Sequence, residues 1–142
     1  MRYETRILML ASISVWFSLM VLGCAEQPRQ VERFGMAIGL KTDGIDEYKR
    51  LHADVWPDVL RMIRECNIHN YSIYLAEIDN DEYCLFGYFE YTGEDFKKDM
   101  EKMKADPATR RWWKHTDPLQ FKLPAAGEDE WWHNLQEVFH AD

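Results

Sequence analysis

From Glu32 to Lys41 the chain alternates. Phe34, Met36, Ile38 and Leu40 fall on one side, and Gly35, Ala37 and Gly39 on the other. Period two predicts a strand, and its second side is so bare that another segment can lie close against it. The period then changes. After a turn at Thr42-Asp43-Gly44, Ile45, Tyr48, Leu51, Val55, Val59 and Ile63 recur at helical spacing. Pro57 interrupts this stretch: it has no N–H and disfavours helix in the residue before it. The helix to about Cys66 is therefore expected to restart near Trp56, with Pro57 in the new first turn, and to stop at Asn67. Ile68 to Ile78 and Glu82 to Tyr91 are rich in aromatic and β-branched residues, and Asp79-Asn80-Asp81 joins them, which predicts a hairpin. Gly93 to Lys104 predicts a helix with Phe96, Met100 and Met103 as its stripe. Asp106-Pro107 opens a short helix that carries Arg110, Arg111, Trp112, Trp113 and Lys114. Leu119 to Asp129 reads as loop, and His133 to His140 as a closing strand.

Strand, helix, strand, strand, helix, strand is the order of an α+β, ferredoxin-like split βαβ sandwich. Such a sheet has helices on one face and needs apolar residues only there. Here the hairpin strands carry them on both faces: Tyr71, Ile73 and Leu75 against Tyr74 and Ala76, and Leu85 and Phe89 against Phe86 and Tyr88. A second copy is the simplest cover for the outer face. That predicts a homodimer, a dimeric α+β barrel.

The chain has 142 residues. Residues 1–24 read as a signal peptide: Arg2 and Arg6, an apolar or small run from Ile7 to Leu22, then Gly23-Cys24. The run is shorter than the roughly 18 residues of a membrane span. Cys24 after Gly23 resembles a lipobox, which implies export and membrane attachment through a lipid on Cys24; secretion without lipid and an uncleaved anchor are the alternatives. Residues 25–31 read as a tether and 32–142 as one domain. A net charge of −8 repels phosphate backbones, so nucleic acid is not an expected partner and a small neutral ligand fits better. Six Trp in so small a chain raise the prior for a stacking site. Cys66 and Cys84 fall at distant points of the predicted hairpin, beyond disulfide reach. The five His have no metal-ligand spacing, so no metal and no cofactor are expected.

Tyr48 and His52 are four apart and share a helix face. Tyr71 lies on the adjoining strand, and Trp112 and Trp113 sit together on the later short helix. A sugar site wants such groups: donors and acceptors for hydroxyls, aromatic surface for C–H faces, and a histidine with a pKa near neutrality for proton transfer. Each also has a plain structural reading. Tyr and His at helical spacing are more often packing with polar tips, paired Trp more often core, and Glu128-Asp129-Glu130 a charged loop. Composition and periodicity alone leave the function open.

Four blocks narrow it. Asp46-Glu47-Tyr48-Lys49-Arg50-Leu51-His52 with Val55-Trp56-Pro57-Asp58-Val59-Leu60 resembles the first-helix signature of the L-rhamnose mutarotase family. His69-Asn70-Tyr71-Ser72-Ile73-Tyr74-Leu75, Arg111-Trp112-Trp113-Lys114 and Leu135-Gln136-Glu137-Val138-Phe139 resemble its later blocks, in its order. The resemblance implies a dimeric ferredoxin-like fold and interconversion of L-rhamnose anomers. It implies His52 as proton donor; as the imidazolium it would protonate the ring oxygen, with a Tyr hydroxyl, Tyr48 being nearer by its helix spacing, or a bound water relaying the second proton. It further implies Tyr48, Tyr71, Trp112 and Trp113 as sugar-binding residues. The export signal departs from the family, whose members are typically short cytoplasmic proteins. A lipid-anchored sugar-binding module without turnover is the alternative.

Overall fold

The computed structural model describes residues 31–141. The signal expected over 1–24, with Cys24, and the tether up to residue 30 lie outside the described residues. Strand β1 (Glu32–Leu40) leads through a short 3-10 turn into helices α1 (Ile45–Ala53) and α2 (Pro57–Glu65). The hairpin strands β2 (Ile68–Asp79) and β3 (Glu82–Tyr91) follow, then helices α3 (Phe96–Ala105) and α4 (Pro107–Thr116). Two short strands, β4 (Gln120–Phe121) and β5 (His133–Leu135), close the fold. The sheet order is β2-β3-β1, with β4 and β5 both on the free edge of β1, and every pairing is antiparallel. This is the expected α+β, ferredoxin-like arrangement, with the last strand split in two.

The alternating side chains of β1 sort as their period requires. Ile38 and Leu40 join Leu85 and Tyr48 in one core cluster, and Phe34 and Met36 pack on a second around Ile68, Phe89 and Tyr91. The bare side of β1 is used at Gly39, where the Phe121 ring of β4 lies so close that a Cβ would sit 2.3 Å from it. The helix break falls where Pro57 puts it: Trp56 is extended (ψ 133°) and Pro57 is the first residue of α2.

Three boundaries differ from expectation. Helix α3 begins at Phe96 rather than Gly93, because the Asp95 carboxylate caps the Lys98 N–H (3.0 Å) while the Tyr91 hydroxyl takes the Asp95 N–H (3.1 Å). Gln120 and Phe121, expected as loop, pair with Leu40 and Gly39. The closing strand stops at Leu135 instead of reaching His140. Leu135 pairs with Gly35 and β1 begins at Glu32, opposite position 138 in this register, so Phe139 and His140 lie beyond any β1 partner, while Gln136 to Val138 make no ladder pair. Arg33 still reaches Glu137 (2.9 Å), but Val138 and Phe139 remain 88% and 81% exposed. Cys66 and Cys84 are both free thiols. Among the described residues no helix is long and apolar enough to cross a membrane.

Candidate active site

Helix α1 places Tyr48 and His52 one turn apart, and their rings stack (centroids 4.1 Å, interplanar 24°). His52 Nδ1 lies 2.9 Å from the Tyr48 carbonyl. A carbonyl only accepts, so Nδ1 carries the hydrogen and donates it. In the neutral ring that leaves Nε2 as the basic atom. Burial holds the His52 pKa below its usual value, and the bond to the Tyr48 carbonyl offsets this only in part. At neutral pH the lowered pKa favours the neutral imidazole.

The two rings line a largely apolar cavity of about 930 Å³ between the helices and the sheet. Its size falls within the range of small-molecule pockets, roughly 300–1,000 Å³. Tyr48 is 5% exposed, and burial pushes its hydroxyl pKa well above the usual tyrosine value, with the nearby Tyr71 and Asp117 adding to the shift. The group therefore stays protonated at neutral pH and has a hydrogen to donate.

Tyr71 reaches the cavity through a bulge. His69 pairs with Glu90 and Ser72 with Tyr88, so β2 holds one residue more than β3 between those pairs. Asn70 takes up the extra residue at φ 46°, a left-handed value that Asn tolerates, and donates from Nδ2 to Glu90 (2.6 Å). The bulge turns Tyr71 to the helix side, edge-on to Phe89 (5.6 Å). The residue as a whole is 38% exposed, yet burial of its hydroxyl end pushes its pKa up to about 12.

The paired tryptophans take different positions. Trp112 is 6% exposed, packs with Leu51 and Val59, and sets its ring edge-on to His52 (5.3 Å) and to Trp56 (5.4 Å). It is part core and part wall. Trp113 is half-buried and lines the cavity beside it. All five expected site residues, His52, Tyr48, Tyr71, Trp112 and Trp113, line this one cavity.

The same wall contains residues the sequence reading passed over: Asp117, Gln120, Trp131, Trp132 and Asn134. The signal available was the tryptophan pair Trp131-Trp132, and it was masked by an acidic stretch that reads as loop. Glu130 in that stretch is no idle surface charge. Its carboxylate accepts from the Gly127 N–H (2.9 Å) and Asn134 Nδ2 (2.7 Å) and lies 3.3 Å from His133 Nδ1. Those bonds hold its pKa down at about 2 and tie the loop to β5.

Residues 33–141 match the family model described as L-rhamnose mutarotase. The chain is 32% identical to an L-rhamnose mutarotase of Oceanobacillus iheyensis over 79% of its own length and 100% of that protein. It is 35% identical to one from Bacillus subtilis, over 70% of its own length and 88% of the relative. A crystal structure of an L-rhamnose mutarotase from Formosa agariphila superposes with a TM-score of 0.58 at 20% identity, covering 78% of this chain and 99% of the other, a likeness of fold.

Proposed function

The chain belongs to the L-rhamnose mutarotase family, and from that membership we propose that it interconverts the α and β anomers of L-rhamnose or a related deoxy sugar. The observation that carries the mechanism is the Nδ1 bond to the Tyr48 carbonyl, which leaves His52 Nε2 as the base of a neutral ring. In the first step Nε2 takes the proton of the anomeric hydroxyl. The resulting imidazolium gives that proton to the ring oxygen as the C1–O5 bond breaks and the C1 carbonyl forms. The open-chain aldehyde then turns about C1–C2, and the same steps run backward on its other face. One proton moves from O1 to O5 and none is left over. Tyr48, held protonated, donates a hydrogen bond to the oxygen on which charge develops. Trp113 and the exposed part of Trp112 face the C–H surface and the methyl group. A sugar lacking the C6 hydroxyl suits that wall, since no buried hydroxyl is left without a partner. The chemistry calls for no metal or cofactor.

His52→Ala tests the assignment. It should keep the fold and sugar binding and lower the exchange rate by about 10²–10⁴-fold, the usual worth of positioned acid–base help. Unchanged turnover would remove His52 from the mechanism. Sugar binding without any acceleration in the unaltered protein would favour a binding module instead.

The outer sheet face supports a homodimer. Tyr74, Ile78, Phe121 and Leu135 are 63%, 56%, 41% and 41% exposed there, and Val138 and Phe139 are exposed as well. For the N-terminal residues, Arg2, Arg6, the run Ile7–Leu22 and Gly23-Cys24 favour export and a lipid anchor on Cys24. Membrane fractionation with and without Cys24→Ala tests the anchor, and a soluble wild type would refute it.

A further inference from the structure

The direction of one hydrogen-bond chain decides where the Tyr48 proton points. Gln120, the first residue of β4, is 5% exposed, and its amide lies between Trp131 and Tyr48. Trp131 Nε1 is 3.2 Å from Gln120 Oε1. An indole N–H can only donate, so the amide atom facing it must be the oxygen. The amide nitrogen is then turned to the Tyr48 hydroxyl, 3.4 Å away. An amide N–H can only donate, so the Tyr48 oxygen accepts this bond. Among the described residues it is the only hydrogen bond made to that oxygen. The single proton of Tyr48 is left to be offered into the cavity.

We propose that Gln120, oriented by Trp131, is a positioning residue that makes Tyr48 present its hydroxyl proton to the sugar. The placement of β4 serves this role. Its pairing of Gln120 with Leu40 and the bond from the Lys41 N–H to the Leu119 carbonyl (2.9 Å) fix the backbone at that corner. Trp131 comes from the segment that Glu130 ties to β5. Helix α1 and the segment from Gln120 to Trp131, far apart in sequence, therefore meet at one amide, and neither Gln120 nor Trp131 needs to touch the substrate. The inference rests on the mutarotase reading, because it gives the oriented proton its use.

The test compares Gln120→Glu with Gln120→Met, measuring anomer exchange against L-rhamnose concentration in mildly alkaline buffer. There the introduced carboxyl is ionised. A carboxylate has no hydrogen to give, so it must accept from Tyr48, reversing the bond and holding the proton away from the sugar. Gln120→Glu is therefore the closer change in shape and the more damaging one to the enzyme. The expected loss is roughly 10²-fold in kcat, the usual effect of removing one donor at a developing charge, with KM changed much less. Gln120→Met leaves the Tyr48 proton free but unheld and should lose only severalfold. A purely structural role predicts that each variant loses activity in step with its melting temperature, Gln120→Glu included, since it buries a charge. Losses that follow Tm in this way, or losses confined to KM, would overturn the positioning role while leaving the activity intact. The indole N–H resonance of Trp131, assigned with Trp131→Phe, should shift in Gln120→Met; no shift would also overturn it. A wild type that fails to accelerate exchange would instead sink the mutarotase reading, and this inference with it.

Discussion

Replacing Tyr48 by Phe removes one oxygen and nothing else. The ring keeps its stack on His52 at 4.1 Å and its place beside Ile38, Leu40 and Leu85. The lost bond, from Gln120 at 3.4 Å, is at the long end for a hydrogen bond. Breaking it and leaving the buried Gln120 N–H without its partner should cost about 1–2 kcal/mol of stability. For a domain of this size that lowers Tm by roughly 4–8 °C per kcal/mol. The effect on rate should be larger. A donor placed at a developing oxyanion is worth about 10²–10³-fold, or about 2.7–4 kcal/mol of barrier. The assay is anomer exchange by NMR magnetisation transfer, with thermal melting followed in parallel. A folded Tyr48→Phe protein that exchanges anomers within about threefold of wild type would refute the role given to this hydroxyl.

The remaining predictions address pH and assembly. Because burial lowers the His52 pKa, the base form persists below the usual 6.5; the rate should be level near pH 7 and fall only as pH drops through the lowered value. A pH–rate profile with its acid midpoint above 6.5 would contradict this. Glu130 has its folded pKa depressed to about 2. Its contribution to stability is therefore complete above the unfolded carboxyl value, about 4.3, and is lost as pH falls from there toward about 2. Melting curves across that window should show the loss, and Glu130→Gln should reduce it; an equal slope in the variant would assign the loss elsewhere. Tyr74→Asp places a charge in the middle of the outer sheet face and should convert a dimer into a folded monomer in sedimentation experiments. A wild type that sediments as a monomer at all concentrations would remove the dimer.

Periodicity read the fold well where each element carries its own signal. The alternation in β1, the restart at Pro57 and the hairpin turn at Asp79-Asn80-Asp81 are local events, and the structure places them where the residues do. What stayed hidden depends on distant partners. Gln120-Phe121 has no strand pattern; it is a strand because Gly39 leaves room for the Phe121 ring. That Phe139 and His140 find no place in the sheet follows from where β1 begins, which their own residues do not show. His52, Tyr48, Tyr71, Trp112 and Trp113, singled out through resemblance, meet at one cavity, and the helical spacing of Tyr48 and His52 places those two on one face. The downward shift of the His52 pKa was not legible, because it depends on burial. Nor was Gln120, whose amide acquires a direction only when Trp131 arrives from eleven positions later.

The measurement that tests the central claim most directly is NMR magnetisation transfer between the α and β anomers of L-rhamnose, with L-fucose in parallel, using the purified domain. The account predicts exchange well above the uncatalysed rate, saturating with sugar and faster for L-rhamnose. A folded protein that leaves both exchange rates at their uncatalysed values would contradict it.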